Sequence, residues 1–327
     1  MQWLYGKPKH IESRRDNNEY TLDMDNVNDF FATLSSILWG WPMIVLLLGT
    51  HVFLTVRLRF PQRKLFTAIR ISVQRDKSQK GDVSQFGALA TALAATIGTG
   101  NIIGVATAVA LGGPGAVFWC WLTGVFGIST KYSEALLAIK YRVKSESGRM
   151  LGGPMYTLER GLGWRKMGML FAVFTAIAAF GIGCTVQANA ISTIMHASYG
   201  ISTEVSGGVL MLLSAAVIIG GVRSVSKVCS MLVPLMALLY VLGCIFILCV
   251  NAGYVMPALR LIVCSAFSPQ AAGGGFAGAS VIMAARYGIA RGLFSNESGL
   301  GSAPIVAAAA RTKNPVRQAL VSSTGTF

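Results

Sequence analysis

An all-α polytopic membrane protein is the fold class that this sequence predicts, and three observations predict it. Of 327 residues, 53% are hydrophobic and 13% charged, with mean hydropathy +0.58; soluble domains carry about 25% charged residues. Apolar segments of spanning length, about 20 residues, recur near 33–56, 86–110, 114–136, 168–195, 205–222, 230–250 and 273–293, and an eighth opens near 316. The cations also sort by side when span 1 runs from outside to inside. Inner segments hold eight Lys and Arg in 57–85, eight in 131–167, two in 223–229 and five in 286–317. Outer segments hold four in 1–29, none in 196–204 and one, Arg260, in 251–272. That asymmetry follows the positive-inside bias. The formal charge of +15 therefore records topology and contact with anionic lipid. Cations spread over separate loops do not form a nucleic-acid footprint.

The first 29 residues form a polar tail with six acids, Glu12, Asp16, Glu19, Asp23, Asp25 and Asp29. The tail is too polar for a cleavable signal peptide, so span 1 is the targeting signal. Residues 30–327 form one transmembrane domain. The basic stretch 57–84 is partly amphipathic and reads as lying along the inner surface. Gly112-Gly-Pro-Gly115 makes an outer turn, since Gly and Pro in series do not continue a helix. Six cysteines lie in or beside apolar spans with no Cys-x-x-Cys pair, which fits small buried hydrophobes. His51 and His196 are isolated, and no nucleophile–base constellation is visible. The chain is not read as an enzyme.

The chemistry concentrates in span 2. Residues 96–104 read Thr-Ile-Gly-Thr-Gly-Asn-Ile-Ile-Gly inside an uncharged apolar stretch. Free peptide groups survive at membrane depth only where they line a protein cavity. A break at Gly98–Gly100 leaves carbonyls near Ala94 to Ile97, a partial negative end suited to a cation. It also leaves the amides of Asn101 to Ile103, suited to a carboxylate. Thr99 adds a hydroxyl and Asn101 an amide oxygen. A second interruption is expected at 271–280, Ala-Ala-Gly-Gly-Gly-Phe-Ala-Gly-Ala-Ser, because consecutive glycines cost helix about 1 kcal/mol each. Five crossings separate the starts of the two broken spans, so they enter from opposite sides, as in an inverted repeat. Gln187 is a polar side chain in an apolar run, Phe276 can wall a small apolar group, and Ser280 is a further polar candidate. No Asp or Glu falls near mid-depth in the spans, which favours Na⁺ held by neutral oxygens over H⁺. The stretch 291–304, RGLFSNESGLGSAP, is dense in polar and small residues. It reads as an inner segment where Glu297, Asn296 and Ser295 cap a helix or tie a gate.

Five blocks then resemble one family in the same order: GTGNIIGVATAVALGGPGAVFWCW (98–121), KYSEALLAIKYR (131–142), GGPMYTLERGLG (152–163), VQANAIS (186–192) and ARGLFSNESGLGSAP (290–304). They look like the alanine or glycine:cation symporter family, over roughly 33–327. The resemblance implies sodium-coupled uptake of alanine or glycine across the bacterial cytoplasmic membrane, with sodium as coupling ion and no other cofactor. It implies a fold similar to the leucine-transporter type, an inverted repeat preceded by one extra span. By motif, Thr99, Gly100 and Asn101 meet the substrate carboxylate and ion, and Gln187 and Phe276 line the pocket. Asn101 and a carbonyl near Thr96 ligate sodium, and carbonyls near Ala94 and Ile97 face a second ion site. Family members continue with further spans, so the second repeat is expected to be incomplete. On that expectation the chain is a C-terminally truncated fragment that does not transport by itself. A cation pore lined by the glycine breaks is the remaining alternative.

Overall fold

The computed structural model describes residues 27–31, 33–34, 37–38, 40–74, 81–98, 100–267 and 281–326. The chain divides into two compact units, Met1–Met43 and Ile44–Phe327. In the first, helical residues 27–31 carry Phe30 and Phe31 edge to face at 5.5 Å.

The described residues are overwhelmingly helical. Helix α1 (Trp41–Arg57) leads through a short 3₁₀ turn (Pro61–Lys64) into α2 (Leu65–Val73), with a 66° bend. The first broken helix follows, α3 (Gln85–Thr96), a π-turn (Gly100–Gly104) and α4 (Val105–Gly112). Helix α5 (Gly115–Lys140) is the central post. A two-stranded ribbon, β1 (Val143–Lys144) with β2 (Met150–Leu151), then leads to α6 (Pro154–Leu162). Next come α7 (Arg165–Ala178) and α8 (Val186–Tyr199), joined by a π-turn, then α9 (Thr203–Ile218), α10 (Gly221–Val250) and α11 (Ala252–Phe267). The described chain ends with α12 (Val281–Asn296), α13 (Ser302–Ala308) and α14 (Pro315–Ser323).

Among the described residues two helical runs are long and apolar enough to cross a membrane, Arg165–Tyr199 and Gly221–Val250, and two bent pairs qualify as broken spans. Exposed Leu, Ile, Val and Phe cover α9 to α11, as a surface facing lipid requires. Two boundaries differ from expectation. The outer segment 251–272 contains helix α11, and the seventh span runs on to Asn296, beyond the expected end near 293. The stretch 271–280 lies outside the described residues.

Helix α12 packs along α5 because small residues let the backbones meet. A Cβ on Gly288 would collide with Ala116, and one on Gly292 with Thr123. Ile44, Ala285, Ile289 and Leu293 form an apolar core there, with Trp119 against it. A polar ladder ties α1 to α5. Thr130 Oγ1 meets His51 Nδ1 at 2.7 Å, Thr55 Oγ1 meets Ser129 Oγ at 2.8 Å, and Gln62 donates to both hydroxyls. Buried hydroxyls and imidazole thereby keep hydrogen-bond partners away from water.

The basic loops meet at one end. Arg311 N donates to Val83 O at 2.7 Å, Arg317 reaches Gln85, and Arg142 reaches the carbonyls of Ala308, Ala310 and Thr312. Segments 57–85, 131–167 and 286–317 thus share one face, as a common side of the membrane requires.

Candidate functional site

The first break sits where the sequence places it. Helix α3 starts on Ser84, whose hydroxyl accepts the Gly87 N–H, a standard helix cap. It stops at Thr96, and α4 leaves at 46°. The Gly98 N–H turns back to Thr96 O at 3.1 Å, and the Asn101 N–H takes Gly98 O at 3.1 Å. Asn101 Nδ2 donates to Thr96 O at 3.0 Å. Thr96 O, the carbonyl expected to face an ion, is therefore satisfied from within the chain. The Thr96 hydroxyl bonds Ala92 O inside its own helix. Ala94 and Ile97 are half-buried at the end of α3. Thr99 lies outside the described residues.

Gln187 comes to this break. A Cβ on Gly98 would lie 3.6 Å from Gln187 Oε1 and 3.7 Å from its Nε2. The half-buried amide therefore lies against the glycine backbone, while Asn189 is exposed. Phe276 and Ser280 lie outside the described residues.

A second break lies further along than the interruption expected at 271–280. Helix α12 ends at Asn296 and α13 begins at Ser302. Between them Glu297, Gly299 and Gly301 have φ of 52°, 89° and 82°, left-handed values that a helix cannot continue through. The break is packed inside the protein, with Ser298 0% and Asn296 7% exposed. Within 291–304 Asn296 and Ser298 are thus buried, while Gly299 and Ser302 stay exposed.

The two broken helices run antiparallel. A Cβ on Gly112 would lie 3.1 Å from Met283 O, and one on Gly100 would lie 3.9 Å from Phe294 Cδ1 and Ser295 Cα. Ser295 Oγ donates to Asn101 Oδ1. Asn101 thereby joins three pieces of backbone through one side chain: the end of α3, the start of α4 and the end of α12. Reading the sequence misses Phe294 and gives Ser295 only a capping or gating role. Their signal is present, since SNESG repeats the small-and-polar character of TIGTGN. The charge of Glu297 hides it by marking the stretch as a loop.

Charge gathers beside this second break. Lys131 Nζ, on a residue 2% exposed, donates to Asn296 O at 3.2 Å and Glu297 O at 3.5 Å. The Glu134 carboxylate faces the N–H groups of Gly299 and Gly301, at a geometry looser than a direct hydrogen bond, and its Oε2 has no hydrogen-bond partner. Helix α5 carries this acid into the interior, although its sequence position suggested a span end. Among the described residues no group of three His, Cys, Asp or Glu is placed to hold a metal ion. The donors at the two breaks are instead amides, hydroxyls and carbonyls.

Such neutral oxygens suit a hard monovalent cation, and the comparisons point the same way. The model of the sodium:alanine symporter family matches residues 24–327. The chain is 52% identical over 302 residues to the sodium/alanine symporter AgcS of Methanococcus maripaludis, covering 90% of this chain and 66% of that protein. An uncharacterized transporter of Haemophilus influenzae is 52% identical over 303 residues, covering 92% and 66%. The probable sodium/glutamine symporter GlnT of Bacillus subtilis is 38% identical over 293 residues, covering 89% and 60%. The chain spans about two thirds of the length of the first two relatives. The family and these relatives are transporters, not enzymes. The chain is a membrane protein, and it belongs to the sodium:alanine symporter family.

Proposed function

We propose that this chain holds the ion and substrate site of a sodium-coupled symporter for a small neutral amino acid, alanine or glycine. The observation that carries the reading is the Asn101 side chain, which bridges the first break and meets Ser295 of the second. Paired broken helices of opposite direction are where secondary transporters hold substrate and coupling ion.

The roles follow from donor chemistry. Asn101 Oδ1 and the carbonyls of Ala94 and Ile97 are the sodium ligands, and the Thr96 carbonyl joins them when the Asn101 amide turns away from it. Ser295 Oγ joins them, because a hydroxyl is both donor and acceptor. It gives its proton to Asn101 without an ion and turns a lone pair to the ion when one binds. Hard cations sit about 2.3–2.6 Å from oxygen ligands, so two oxygens in hydrogen-bond contact can share one. Thr99 and Gly100 meet the substrate carboxylate, where the α4 amides supply a partial positive charge. Gln187, Phe294, Phe276 and Ser280 enclose the rest of the substrate.

The chain is read as an inverted repeat with one extra N-terminal span, resident in the bacterial cytoplasmic membrane with its N-terminus outside. Rocking of the broken pair against the surrounding helices alternates access. Equilibrium binding of radiolabelled alanine to the purified chain tests the reading. Saturable binding that requires Na⁺ supports it. Equal binding when choline replaces Na⁺ overturns it.

A further inference from the structure

Lys131 and Glu134 stand one helical turn apart on α5 and face the second break from the same side. Both carry ionisable groups; Lys131 is 2% exposed, and Glu134 Oε2 is buried. Buried charges of this kind are costly unless each meets a partner. Here the two side chains stand against each other, and backbone groups that the break sets free lie beside both. Lys131 Nζ takes the carbonyls of Asn296 and Glu297, at the partial negative end of the sixteen-residue α12. Glu134 faces the opposite sign, the amides of Gly299 and Gly301. One turn of α5 thus presents a cation to the outgoing carbonyls and an anion to the incoming amides.

Other features converge on the same segment. Glu297 adopts φ 52°, a conformation a residue with a side chain holds only when its surroundings over-determine it. Lys131 holds its carbonyl, and Ser302 Oγ donates to its Oε2 at 3.1 Å. Asn296 Oδ1 accepts the Ser298 N–H at 2.9 Å and closes the turn. Ser295, which meets Asn101, directly precedes the carbonyl that Lys131 grips.

We infer that Lys131 and Glu134 are positioning residues. They hold residues 296–301 in the broken conformation and so deliver Ser295 to Asn101, although neither touches ion or substrate. Lys131 occupies this face of the break, so the ligand-binding face is the one toward Asn101. The sodium part of this inference rests on the symporter reading; the shape of the break does not.

Lys131→Gln and Glu134→Gln remove the charges at similar side-chain size. The purified full chain in nanodiscs is compared with both by amide hydrogen exchange and by ²²Na⁺ binding. The expected result is exchange accelerated roughly tenfold within 297–301, with the α9 segment unchanged, and sodium binding weakened about fivefold or more. Unchanged exchange at 297–301 overturns the inference, as does a rise spread evenly into α9, which marks general loosening. Local acceleration with wild-type sodium affinity overturns the link to Asn101. If the wild-type chain binds no sodium saturably, the symporter reading falls, and the exchange data alone decide the positioning role.

Discussion

Asn101 closes the gap that Thr96 leaves open. The helix stops at Thr96, and the carbonyl of that residue accepts the Asn101 side-chain amide at 3.0 Å across five residues. The other end of the same amide accepts from Ser295. Asn101→Ala therefore leaves the half-buried Ser295 hydroxyl without its acceptor and Thr96 O with the Gly98 N–H alone. Unmet polar groups of this sort cost about 1–3 kcal/mol. The expected outcome is a loss of roughly tenfold to a hundredfold in sodium affinity, read by ²²Na⁺ binding. Asn101→Asp keeps an acceptor for Ser295 but has no N–H for Thr96 O. It is expected to fall between alanine and wild type.

The proposed substrate role of Gln187 can be tested apart from the ion site. Its amide lies against Gly98, whereas Ser295 lies against Gly100. Gln187→Ala is expected to weaken alanine binding by about tenfold, the loss of one or two hydrogen bonds. Sodium binding measured without amino acid stays unchanged. Two titrations on one preparation, one with each ligand, check both halves.

Much of this was legible in the sequence, and the rest was hidden for physical reasons. Gly98, Gly100 and Asn101 mark the first break because small and polar residues stand out in an uncharged apolar run. Gln187 stands out for the same reason, and the structure brings it to Gly98. The second break at 297–301 was not assigned to the interior. Glu297 and the nearby arginines lend that stretch the composition of a loop, and composition does not show that Lys131 and Glu134 face it. Those two residues sit in KYSEALLAIKYR as an ordinary helix end. Only the packing of α12 against α5 gives them their role. Helix α11 was missed because Pro257 and Arg260 make its stretch resemble a turn region.

That packing is itself testable, because Gly292 lies against α5. A Cβ there would approach Cys120 Cα at 3.0 Å and Cys120 O at 3.2 Å, besides the Thr123 hydroxyl. Neither backbone atom can step aside, so the helices must separate. Gly292→Ala is expected to cost about 1–3 kcal/mol, the usual penalty of overpacking. Gly243→Ala is the internal control, since nothing lies within 4 Å of its added methyl. Relieved of glycine's backbone entropy, that variant is expected to be neutral or more stable by up to about 1 kcal/mol. Thermal unfolding midpoints of the two variants should move in opposite directions or differ clearly in size.

Arg142 fixes the end of the second broken helix. Its Nη1 donates to Ala308 O and Ala310 O, each at 2.8 Å, and its Nη2 to Thr312 O at 2.6 Å. These carbonyls have no further helical turn to accept from, because α13 ends at Ala308. A planar guanidinium can reach three acceptors in a fixed fork, and an ammonium on a flexible stem cannot. Arg142→Lys is therefore expected to recover little of what Arg142→Gln loses. Hydrogen bonds from a charged donor contribute about 1.5–3 kcal/mol each, and bonds sharing one donor are not additive. The expected cost of Arg142→Gln is at least about 2 kcal/mol. The damage should be local as well, because Asp82, Val83 and Arg311 meet beside the same carbonyls. Limited proteolysis is expected to open the stretch Arg311–Asn314 in both variants and to leave it closed in the wild type. Equal cleavage in all three would show that the guanidinium does not hold this end of the helix.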